Sequence, residues 1–525
     1  MIYITIDNIN IVSPPGVAVI DAAREAGIKI PSMCYKNGYS NHPSCMICTV
    51  KDLKTGKLFP SCAIKVTDGM QISTNDEDVL NARKESLELL LSDHVGDCVA
   101  PCQPSCPANM DIPRMNRLIA SGNFREAITV VKEDIALPLI LGYICPAPCE
   151  KACRRGQIDS PVSICLLKKF VAAEDFKKED LFLPEKQSGS GKKIAIIGTG
   201  PGGLAASYYL LRFGHQVILF DKNEKAGGSL RYQNLENPLP VEALEKELHL
   251  LETYGAKFEL NKLVDAEFFK NNVITKFDAT IIATGDFDEE MFKGFGLETS
   301  KHGLAINKDT YQSNDKNVFV CGNVIRSRRM AIHSLAQGKI AAESVNDYLS
   351  GLEPHVKKQK FNSKFARLFE SEFHEYLKES TPDKRIELEK GKLDDFTIDE
   401  AIKEASRCMH CDCRKLDNCK LRDYSDEYGA DRRKFLFGER KTIKKYMKDF
   451  EVIYEPEKCI RCNLCVDITV KNSELVGLTS VGRGFNVEIN IPFNLELSEA
   501  LAKTADDVVN SCPTGALSFN KKIET

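Results

Sequence analysis

The densest group of candidate metal ligands lies between residues 94 and 165. It contains one histidine and seven cysteines, namely His94, Cys98, Cys102, Cys106, Cys145, Cys149, Cys153 and Cys165. Imidazole and thiolates are borderline or soft ligands, and this set is large enough for two four-iron clusters. Disulfides and zinc are the alternatives, because short cysteine spacings suit both. Proline follows Cys106 and Cys145, and a Cys-Pro step is typical of a cluster loop, so the pattern favours iron–sulfur chemistry.

Three smaller groups hold the other cysteines, apart from the isolated Cys321. They are Cys34, Cys45, Cys48 and Cys62; Cys408, Cys411, Cys413 and Cys419; and Cys459, Cys462, Cys465 and Cys512. Four thiolates on one long loop and a later strand indicate a two-iron cluster in the first group. The last group has the C-x2-C-x2-C…C-P pattern of a bacterial ferredoxin and predicts one four-iron cluster. For the middle group a four-iron cluster, a zinc ion and a partly occupied or metal-free site remain open.

Length and charge limit the remaining interpretations. The chain has 525 residues and a net charge of −4. Three or more domains are expected at this length. The net charge does not indicate binding to nucleic acid or to an anionic membrane. No apolar run approaches the eighteen or so residues of a membrane helix. Twenty cysteines without a secretory signal predict a reduced, cytoplasmic protein with metal centres.

Residues 1–100 resemble the N-terminal domain of the large iron–sulfur subunit of respiratory complex I and of iron-only hydrogenases. The matching stretches are Pro14-Pro-Gly, Asp21-Ala-Ala-Arg, Ile30-Pro-Ser-Met-Cys34-Tyr, Cys45-Met-Ile-Cys48, Ser61-Cys62 and the helix from Arg83 to Leu91. A hairpin pattern at the N-terminus and a helical pattern from Val19 to Ala26 agree with this. The resemblance implies a β-grasp 2Fe-2S domain. It also implies that His94 and Cys98, as His-x3-Cys, begin a histidine-ligated four-iron cluster.

The stretch that begins at Cys98 resembles the iron–sulfur region of the glutamate synthase small subunit and of dihydropyrimidine dehydrogenase. Asp111-Ile-Pro, Cys145-Pro and Cys149-Glu carry the likeness beside the cysteine spacing. The resemblance implies one cluster on Cys98, Cys102 and Cys153, and another on Cys106, Cys145 and Cys149. The usual first cysteine is missing here, and the late Glu or Gln ligand falls near Lys168. We therefore expect His94 to complete the first cluster and Cys165 the second, with an ordinary surface histidine as the alternative for His94.

A nucleotide-binding fold is predicted from residue 194 onward. A buried strand runs into Gly198, Gly200 and Gly203, and a second strand ends at Asp221, which is placed for a ribose hydroxyl. The later positions Gly228, Gly285, Gly322 and Asn323 resemble FAD motifs of the glutamate synthase small subunit, with Asn323 in place of the usual Asp. No second glycine fingerprint occurs, and fewer than about forty residues separate Gly285 from Gly322. We predict an FAD domain without the NAD(P)H domain; a relic fold without flavin is the alternative.

The expected fold is multidomain, of classes α/β and α+β. The predicted domains are a 2Fe-2S ferredoxin-like domain (1–80), a helical double 4Fe-4S domain (81–180), a Rossmann-like FAD domain (190–352), a helical linker with a four-cysteine site (353–450) and a 4Fe-4S ferredoxin-like domain (451–525). The expected cofactors are one 2Fe-2S cluster, three or four 4Fe-4S clusters and FAD. No catalytic acid, base or nucleophile stands out.

These features predict an electron-transfer subunit of a cytosolic multisubunit oxidoreductase. It would relay electrons between a complex I-like NADH-oxidising flavoprotein and a further redox subunit or ferredoxin, without nucleic acid or membrane insertion. A glutamate synthase small-subunit-like oxidoreductase that feeds a separate catalytic subunit is the alternative. A structural scaffold with a vacant flavin fold is a third. In each case the missing domain predicts no autonomous NAD(P)H site.

Overall fold

A computed structural model describes residues 1–233, 238–326, 330–354, 359–447 and 451–519. The end of the predicted C-terminal domain, 520–525, lies outside them. The chain divides into two compact units. The first comprises Met1–Ala100, Gln359–Lys378 and Cys411–Glu524, and the second comprises Pro101–Lys358 and Glu379–His410. The first unit thus gathers segments from four of the five predicted domains, and the five-domain division remains a prediction.

The strands and helices follow each other along the whole chain. The strands are β1 Ile2–Ile6, β2 Ile9–Ser13, β3 Thr49–Asp52, β4 Leu58–Pro60, β5 Gln71–Ser73, β6 Lys193–Ile197, β7 Gln216–Phe220, β8 Lys257–Glu259, β9 Ala279–Ile282, β10 Thr299–Ser300, β11 Gly303–Leu304, β12 Val318–Val320, β13 Val452–Tyr454, β14 Thr479–Val481, β15 Glu488–Asn490 and β16 Leu517–Phe519. The α-helices are α1 Val19–Glu25, α2 Glu77–Ser92, α3 Cys102–Ser105, α4 Ile112–Ala120, α5 Phe124–Asp134, α6 Pro138–Ile144, α7 Pro148–Lys151, α8 Ile164–Asp175, α9 Pro201–Arg212, α10 Ser229–Tyr232, α11 Val241–Thr253, α12 Ala266–Phe268, α13 Glu289–Gly294, α14 Ala331–Leu349, α15 Phe373–Leu377, α16 Ile398–Ala405, α17 Lys420–Glu427, α18 Leu464–Lys471, α19 Leu497–Ala500 and α20 Ala505–Ser511. Within the described ranges, no helix has the length and apolar character needed to cross a membrane.

A five-stranded mixed sheet in the order β2-β1-β5-β3-β4 begins the first unit. β1 and β2 form an antiparallel hairpin that reverses at Asp7 and Asn8, both with positive φ, as a tight two-residue turn requires. Ile4 and Ile6 point into the core while Tyr3 is exposed, which is the two-residue period of a half-buried strand. β1 pairs with β5 in parallel, and α1 packs its buried residues on this core. This sheet supports the first cysteine loop.

The C-terminal part of the first unit contains two small antiparallel sheets and three helices. β13 pairs with β16, and β14 pairs with β15. Their apolar side chains share a core with α18, α19 and α20, which includes Ile468, Leu501 and Val508. The β13–β16 pair joins the two ends of this part, and so brings the loop after β13 next to the loop before β16.

Helices form the beginning of the second unit. α4 starts after Asp111, whose side chain accepts a hydrogen bond from the Arg114 N–H at 3.2 Å, as an N-cap does. α4, α5, α6 and α8 bury apolar faces that contain Met115, Val131 and Phe170. α3 and α6 end immediately before Cys106 and Cys145, and Cys149 lies on α7. This packing determines where those cysteines lie.

A parallel five-stranded sheet in the order β12-β9-β6-β7-β8 completes the second unit. The first three strands along the chain lie side by side, and the chain then crosses to the other side of β6, as in the mononucleotide-binding half of a Rossmann fold. α9 and α14 meet closely on one face. A Cβ atom on Gly338 would lie 2.3 Å from the Gly202 carbonyl oxygen, so this packing needs glycine. The Rossmann-like fold predicted from the glycine fingerprint is therefore present.

Candidate functional site: four groups of thiols and a glycine loop

The first cysteine group lies on the loop between α1 and β3 and on the turn after β4. All four thiols are buried, with 1–3% exposure. The hydrogen bond from Cys45 holds the pKa of Cys34 well below its usual range, and that contact with Cys34, together with burial, raises the pKa of Cys45. Cys62 contacts both Cys34 and Cys48. The structure therefore brings Cys34, Cys45, Cys48 and Cys62 together, in a donor set whose chemistry fits a thiolate-held cluster.

A buried arginine supports the end of this loop. The Arg83 guanidinium donates to the carbonyl oxygen of Thr49, the residue after Cys48, at 3.1 and 2.9 Å, and to the Tyr428 hydroxyl at 3.1 Å. Arg83 is 3% exposed. Within the part of the chain that the structure describes, it has no carboxylate partner. Sequence reasoning placed Arg83 on the helix but missed this contact.

Four thiols of the second unit line one cavity of about 330 Å³. The lining cysteines are Cys106, Cys145, Cys149 and Cys165. Cys106 follows α3, Cys145 follows α6, Cys149 lies on α7 and Cys165 lies on α8. Four helices therefore position these thiols. Ile112, Ile135, Ile164 and Ile332 make much of the remaining wall apolar. Four thiols around an apolar space fit a four-iron cluster. They are the four cysteines of the expected second cluster, and their ligand roles stay predictions.

Two lysines lie beside this cavity. Lys168 lines it and is 4% exposed, and burial lowers the Lys168 pKa while the four thiols together raise it above its usual value. The Lys392 ammonium donates to the backbone carbonyl of Cys145. The sequence showed only that Lys168 stands where related chains have a ligand. It did not show that the lysine faces the cysteines.

Cys98 has neighbours that the sequence did not lead us to expect. The Cys413 N–H donates to the Cys98 carbonyl at 3.0 Å, and the Ser363 N–H donates to the Cys98 sulfur at 3.4 Å. Burial is the main cause that raises the pKa of Cys419. The neighbouring thiols of Cys413 and then of Cys98 raise it further. The first unit therefore places Cys98 with Cys413 and Cys419, which the sequence analysis had assigned to separate groups. This tertiary contact has no signal in local spacing.

His94 is buried, not an ordinary surface histidine. It is 9% exposed, and its Nδ1 has no hydrogen-bond partner within the described ranges. The imidazole is hydrogen-bonded to the backbone of Lys458, and burial, with Lys458 and Arg432 nearby, lowers its pKa to about 3. A neutral imidazole with one nitrogen held by the backbone and the other unpartnered has the form of a metal ligand.

The last cysteine group lines a second cavity, of about 350 Å³. Cys459, Cys462, Cys465 and Cys512 face it. Arg461 and Asn463 adopt positive φ, which folds the loop tightly around the space. The Thr514 hydroxyl donates to the Lys458 carbonyl at 2.9 Å and so ties the two cysteine-bearing loops together. This arrangement also fits a four-iron cluster.

Besides the isolated Cys321, four cysteines remain outside these groups. Cys102, Cys153 and Cys408 belong to the second unit, and Cys411 lies in the first. Burial lowers the pKa of Lys445 to about 8, and the nearby Cys411 thiol opposes this shift. Their ligand roles stay predictions. Among the described residues, no three His, Cys, Asp or Glu side chains converge closely enough to hold a single metal ion. Cluster thiolates lie further apart than the ligands of one ion, since several irons separate them.

The glycine loop lies at the carboxyl end of β6. A Cβ on Gly203 would lie 2.1 Å from the Gly198 carbonyl oxygen, so only glycine allows α9 to start so close to the strand. Gly200 is the N-cap of α9, and no side chain caps this first turn in the described structure. Its N–H groups suit a dinucleotide pyrophosphate. Gly228 packs on Gly200, where an added Cβ would lie 2.7 Å from the Gly200 Cα.

Asp221 has a role that the sequence did not predict. One carboxylate oxygen accepts from the Thr199 N–H at 2.8 Å and from its hydroxyl at 2.6 Å. The other accepts from Asn223 N–H groups, both at 2.9 Å. Asp221 therefore holds the glycine loop, and its contact with a ribose stays a prediction.

The later FAD positions lie at the same edge of the sheet. Gly285 follows β9 and Gly322 follows β12, both with positive φ. The Gly322 N–H donates to the Gln337 side chain on α14 at 2.8 Å. Asn323 is partly buried next to it.

Comparisons with known proteins agree with this layout. Residues 1–77 match the model of a 2Fe-2S iron-sulfur cluster binding domain. Residues 84–180 match the 4Fe-4S cluster domain II of dihydropyrimidine dehydrogenase. Residues 196–266 match an NAD(P)-binding Rossmann-like domain. The chain is therefore an iron–sulfur protein that joins a 2Fe-2S domain, a 4Fe-4S domain and a Rossmann-like domain.

Several of its curated relatives are subunits of oxidoreductases. It is 36% identical to the NADP(+)-dependent formate dehydrogenase subunit beta of Moorella thermoacetica, over 35% of this chain and 29% of that protein. It is 28% identical to the NADPH-Fe(3+) oxidoreductase subunit beta of Geobacter sulfurreducens, over 42% and 35%. It is 32% identical to the glutamate synthase [NADPH] small chain of Mycobacterium tuberculosis, over 36% and 39%. The matches thus span less than half of each of these relatives.

Proposed function

We propose that this chain is an electron-transfer iron–sulfur flavoprotein subunit of a multisubunit oxidoreductase. When bound, the clusters supply one-electron transfer, and FAD supplies exchange of one or two electrons. The chain's own residues supply the thiols that hold these groups and the apolar walls that exclude water. They also supply the charges that set potentials.

One observation carries the proposal: a single apolar core borders three of the cysteine groups. This core contains Cys34 and Cys45 from the first group, Cys419 from the middle group and Cys462 from the last. Met33, Ile47, Leu87, Leu91, Leu421 and Leu464 fill the space between them. Redox centres held around one dry core are close enough to exchange electrons and are screened from water. A scaffold with vacant sites would not need thiols from three groups on one core.

The second unit supports a continuation of the path toward a flavin. Ile332 lines the cavity of Cys106, Cys145, Cys149 and Cys165, and it lies in the first turn of α14. That helix also contacts Gly322 through Gln337. The thiol cavity and the glycine-rich edge of the sheet therefore share one helix. This arrangement favours FAD in the Rossmann-like domain and a cluster beside it.

We infer the electron-donating partner and the bound nucleotide from the relatives and from the lack of a second glycine fingerprint in the sequence. Hydride transfer needs the nicotinamide held against the flavin, and the rest of the dinucleotide provides that hold. One glycine fingerprint is present, and we assign it to FAD. We therefore propose that a complex I-like NADH-oxidising flavoprotein delivers electrons to the Cys34 group, and that a further redox subunit or ferredoxin exchanges them elsewhere. Two relatives have NADPH in their names, so NADPH must be tested beside NADH.

A second candidate function is favoured by the helical cavity and the adjoining Rossmann sheet. This pairing is the part of the chain that resembles the glutamate synthase small subunit. In that case the chain would pass electrons to a separate catalytic subunit. The two candidates differ in where electrons enter: at the Cys34 group in the first, at FAD in the second.

Stopped-flow spectroscopy of the anaerobically reconstituted full chain tests the proposal. We expect NADH or NADPH alone to reduce the flavin very slowly, and an added complex I-like NADH-oxidising flavoprotein to make reduction fast. A Cys48→Ser variant should lose the fast phase but remain fully reducible by dithionite. Rapid bleaching of the flavin by NADPH in the isolated chain would contradict the proposal and favour the second candidate.

A further inference from the structure

Cys98 lies beside Cys413 and Cys419, although residues 101–410 separate them in the sequence. The Cys413 N–H donates to the Cys98 carbonyl at 3.0 Å, so the two cysteine backbones are adjacent. The three cysteines are 6–8% exposed. All three belong to the first unit, whose first segment ends at Ala100 and whose later segments begin at Gln359 and Cys411. Most of the second unit therefore lies between Cys98 and Cys413 in the sequence.

Backbone groups of the first unit lie directly against the sulfurs of Cys98 and Cys413. The Ser363 N–H donates to the Cys98 sulfur at 3.4 Å, and the Ser363 carbonyl accepts from the Cys98 N–H at 3.2 Å. N–H groups directed at cysteine sulfurs are one of the means by which proteins tune cluster potentials. On another side, a Cβ at Gly515 would lie 2.3 Å from the Cys413 sulfur. Position 515 must therefore remain glycine for this sulfur to occupy its place.

His94 is the fourth side chain near this group. Three residues separate it from Cys98, and the two share charged neighbours. Arg432 donates to the His94 carbonyl at 3.4 Å and lies close enough to Cys98 for the two charges to interact. Lys458 contacts the His94 imidazole through its backbone and acts on the Cys98 thiol with its charge. Among the residues that the structure describes, the buried Nδ1 of His94 has no hydrogen-bond partner, and such a nitrogen suits a metal ligand.

We propose that His94, Cys98, Cys413 and Cys419 hold one histidine-ligated four-iron cluster within the first unit. The inference rests on the proposed function, because it assigns ligands within the same electron path. It replaces the grouping of Cys98 with Cys102 and Cys153, and it separates Cys413 and Cys419 from Cys408 and Cys411. The cluster then borders the apolar core that Cys419 shares with Cys34 and Cys462.

Serine substitutions identify which cysteines ligate the same cluster, because each substitution should remove the EPR signal of the cluster that the cysteine holds. We expect Cys98→Ser and Cys413→Ser in the full chain to lose the same signal, and Cys102→Ser and Cys153→Ser to keep it. The opposite pairing, in which Cys98→Ser matches Cys102→Ser and differs from Cys413→Ser, would overturn the inference. Wild-type protein with little iron would instead contradict the proposed function itself, so the two failures are distinguishable.

Pulsed EPR identifies the fourth ligand. The cluster signal should show nitrogen hyperfine coupling in the wild type, and this coupling should be missing in His94→Cys while the iron content stays unchanged. The added thiolate should also lower the midpoint potential, since it favours the oxidised state. This variant keeps four ligands, so it serves even if the serine variants do not fold. Persistence of the nitrogen coupling in His94→Cys, or loss of the signal in Cys411→Ser but not in His94→Ala, would overturn the assignment of His94.

Discussion

Lys168 and Cys165 lie one turn apart on α8 and face the same cavity. We predict that the Cys165 thiolate ligates the cluster of this cavity, where it adds a negative charge. The Lys168 ammonium group supplies a compensating positive charge beside the same space. The predicted ligand and its counter-charge therefore lie on one helix face.

The first prediction concerns that counter-charge. Lys168→Met should lower the midpoint potential of the cluster held by the Cys106, Cys145, Cys149 and Cys165 set, because loss of a positive charge favours the oxidised state. The expected size is on the order of 100 mV, the effect of a unit charge at a few ångströms in a protein with an effective dielectric constant of about 20. An EPR-monitored redox titration measures it.

Two variants control this experiment. Lys168→Arg keeps the charge and should keep the potential. Lys169→Met removes the next lysine, which is equally buried but donates to the carbonyls of Lys392 and Asp394 at 2.6 Å. A Lys169→Met shift as large as that of Lys168→Met would show that the effect arises from disturbed packing rather than from charge in the cavity.

The second prediction concerns Arg83, which supports the loop of the Cys34 group. Arg83→Met leaves the Thr49 carbonyl without its donors, at a cost of about 1–3 kcal/mol, and removes a buried positive charge. Both the thermal stability of the 2Fe-2S signal and its midpoint potential should fall. Arg83→Lys should keep a midpoint potential near that of the wild type but recover less of the thermal stability. Lysine carries the same charge but cannot donate two hydrogen bonds in the arrangement of a guanidinium group. Equal potentials in all three proteins would exclude an electrostatic role for Arg83.

The third prediction concerns the glycine loop. Asp221→Ala removes the acceptor for the Thr199 N–H and hydroxyl, so the loop that should hold the FAD pyrophosphate loses its fixed shape. We expect FAD retention after gel filtration to drop at least tenfold, with the iron content unchanged. Asp278→Ala is the matched control, because Asp278 accepts from the Lys193 N–H at 2.8 Å at the opposite end of β6. Full FAD retention in Asp221→Ala would show that this contact is not needed for binding.

Local features of the fold followed from the sequence. The hairpin at β1 and β2 has a two-residue hydrophobic period and a polar turn, and both signals are complete within the segment. The geometry of the glycine loop is likewise explained within its own segment, because Gly203 must pass close to Gly198. The set of Cys106, Cys145, Cys149 and Cys165 was anticipated through a resemblance, with Cys165 inferred from helical spacing.

Contacts between distant segments did not follow from the sequence. Cys98 contacts Cys413 within the first unit, whose segments are far apart in the sequence, and the cysteine spacing on either side does not predict that contact. Asp221 was expected to face a ribose, yet its carboxylate satisfies the loop's own N–H groups. Lys168 was recognised as unable to ligate iron, but its direction depends on how α8 packs on α6. Each of these facts belongs to tertiary packing.

The proposed function requires several iron–sulfur centres at the thiol groups described. Iron and zinc analysis of the anaerobically reconstituted full chain, combined with an EPR redox titration, tests it most directly. We expect about fourteen to eighteen irons per chain, from one two-iron and three or four four-iron centres, with separable EPR signals. Iron below about eight per chain, with zinc making up the difference, would contradict the account.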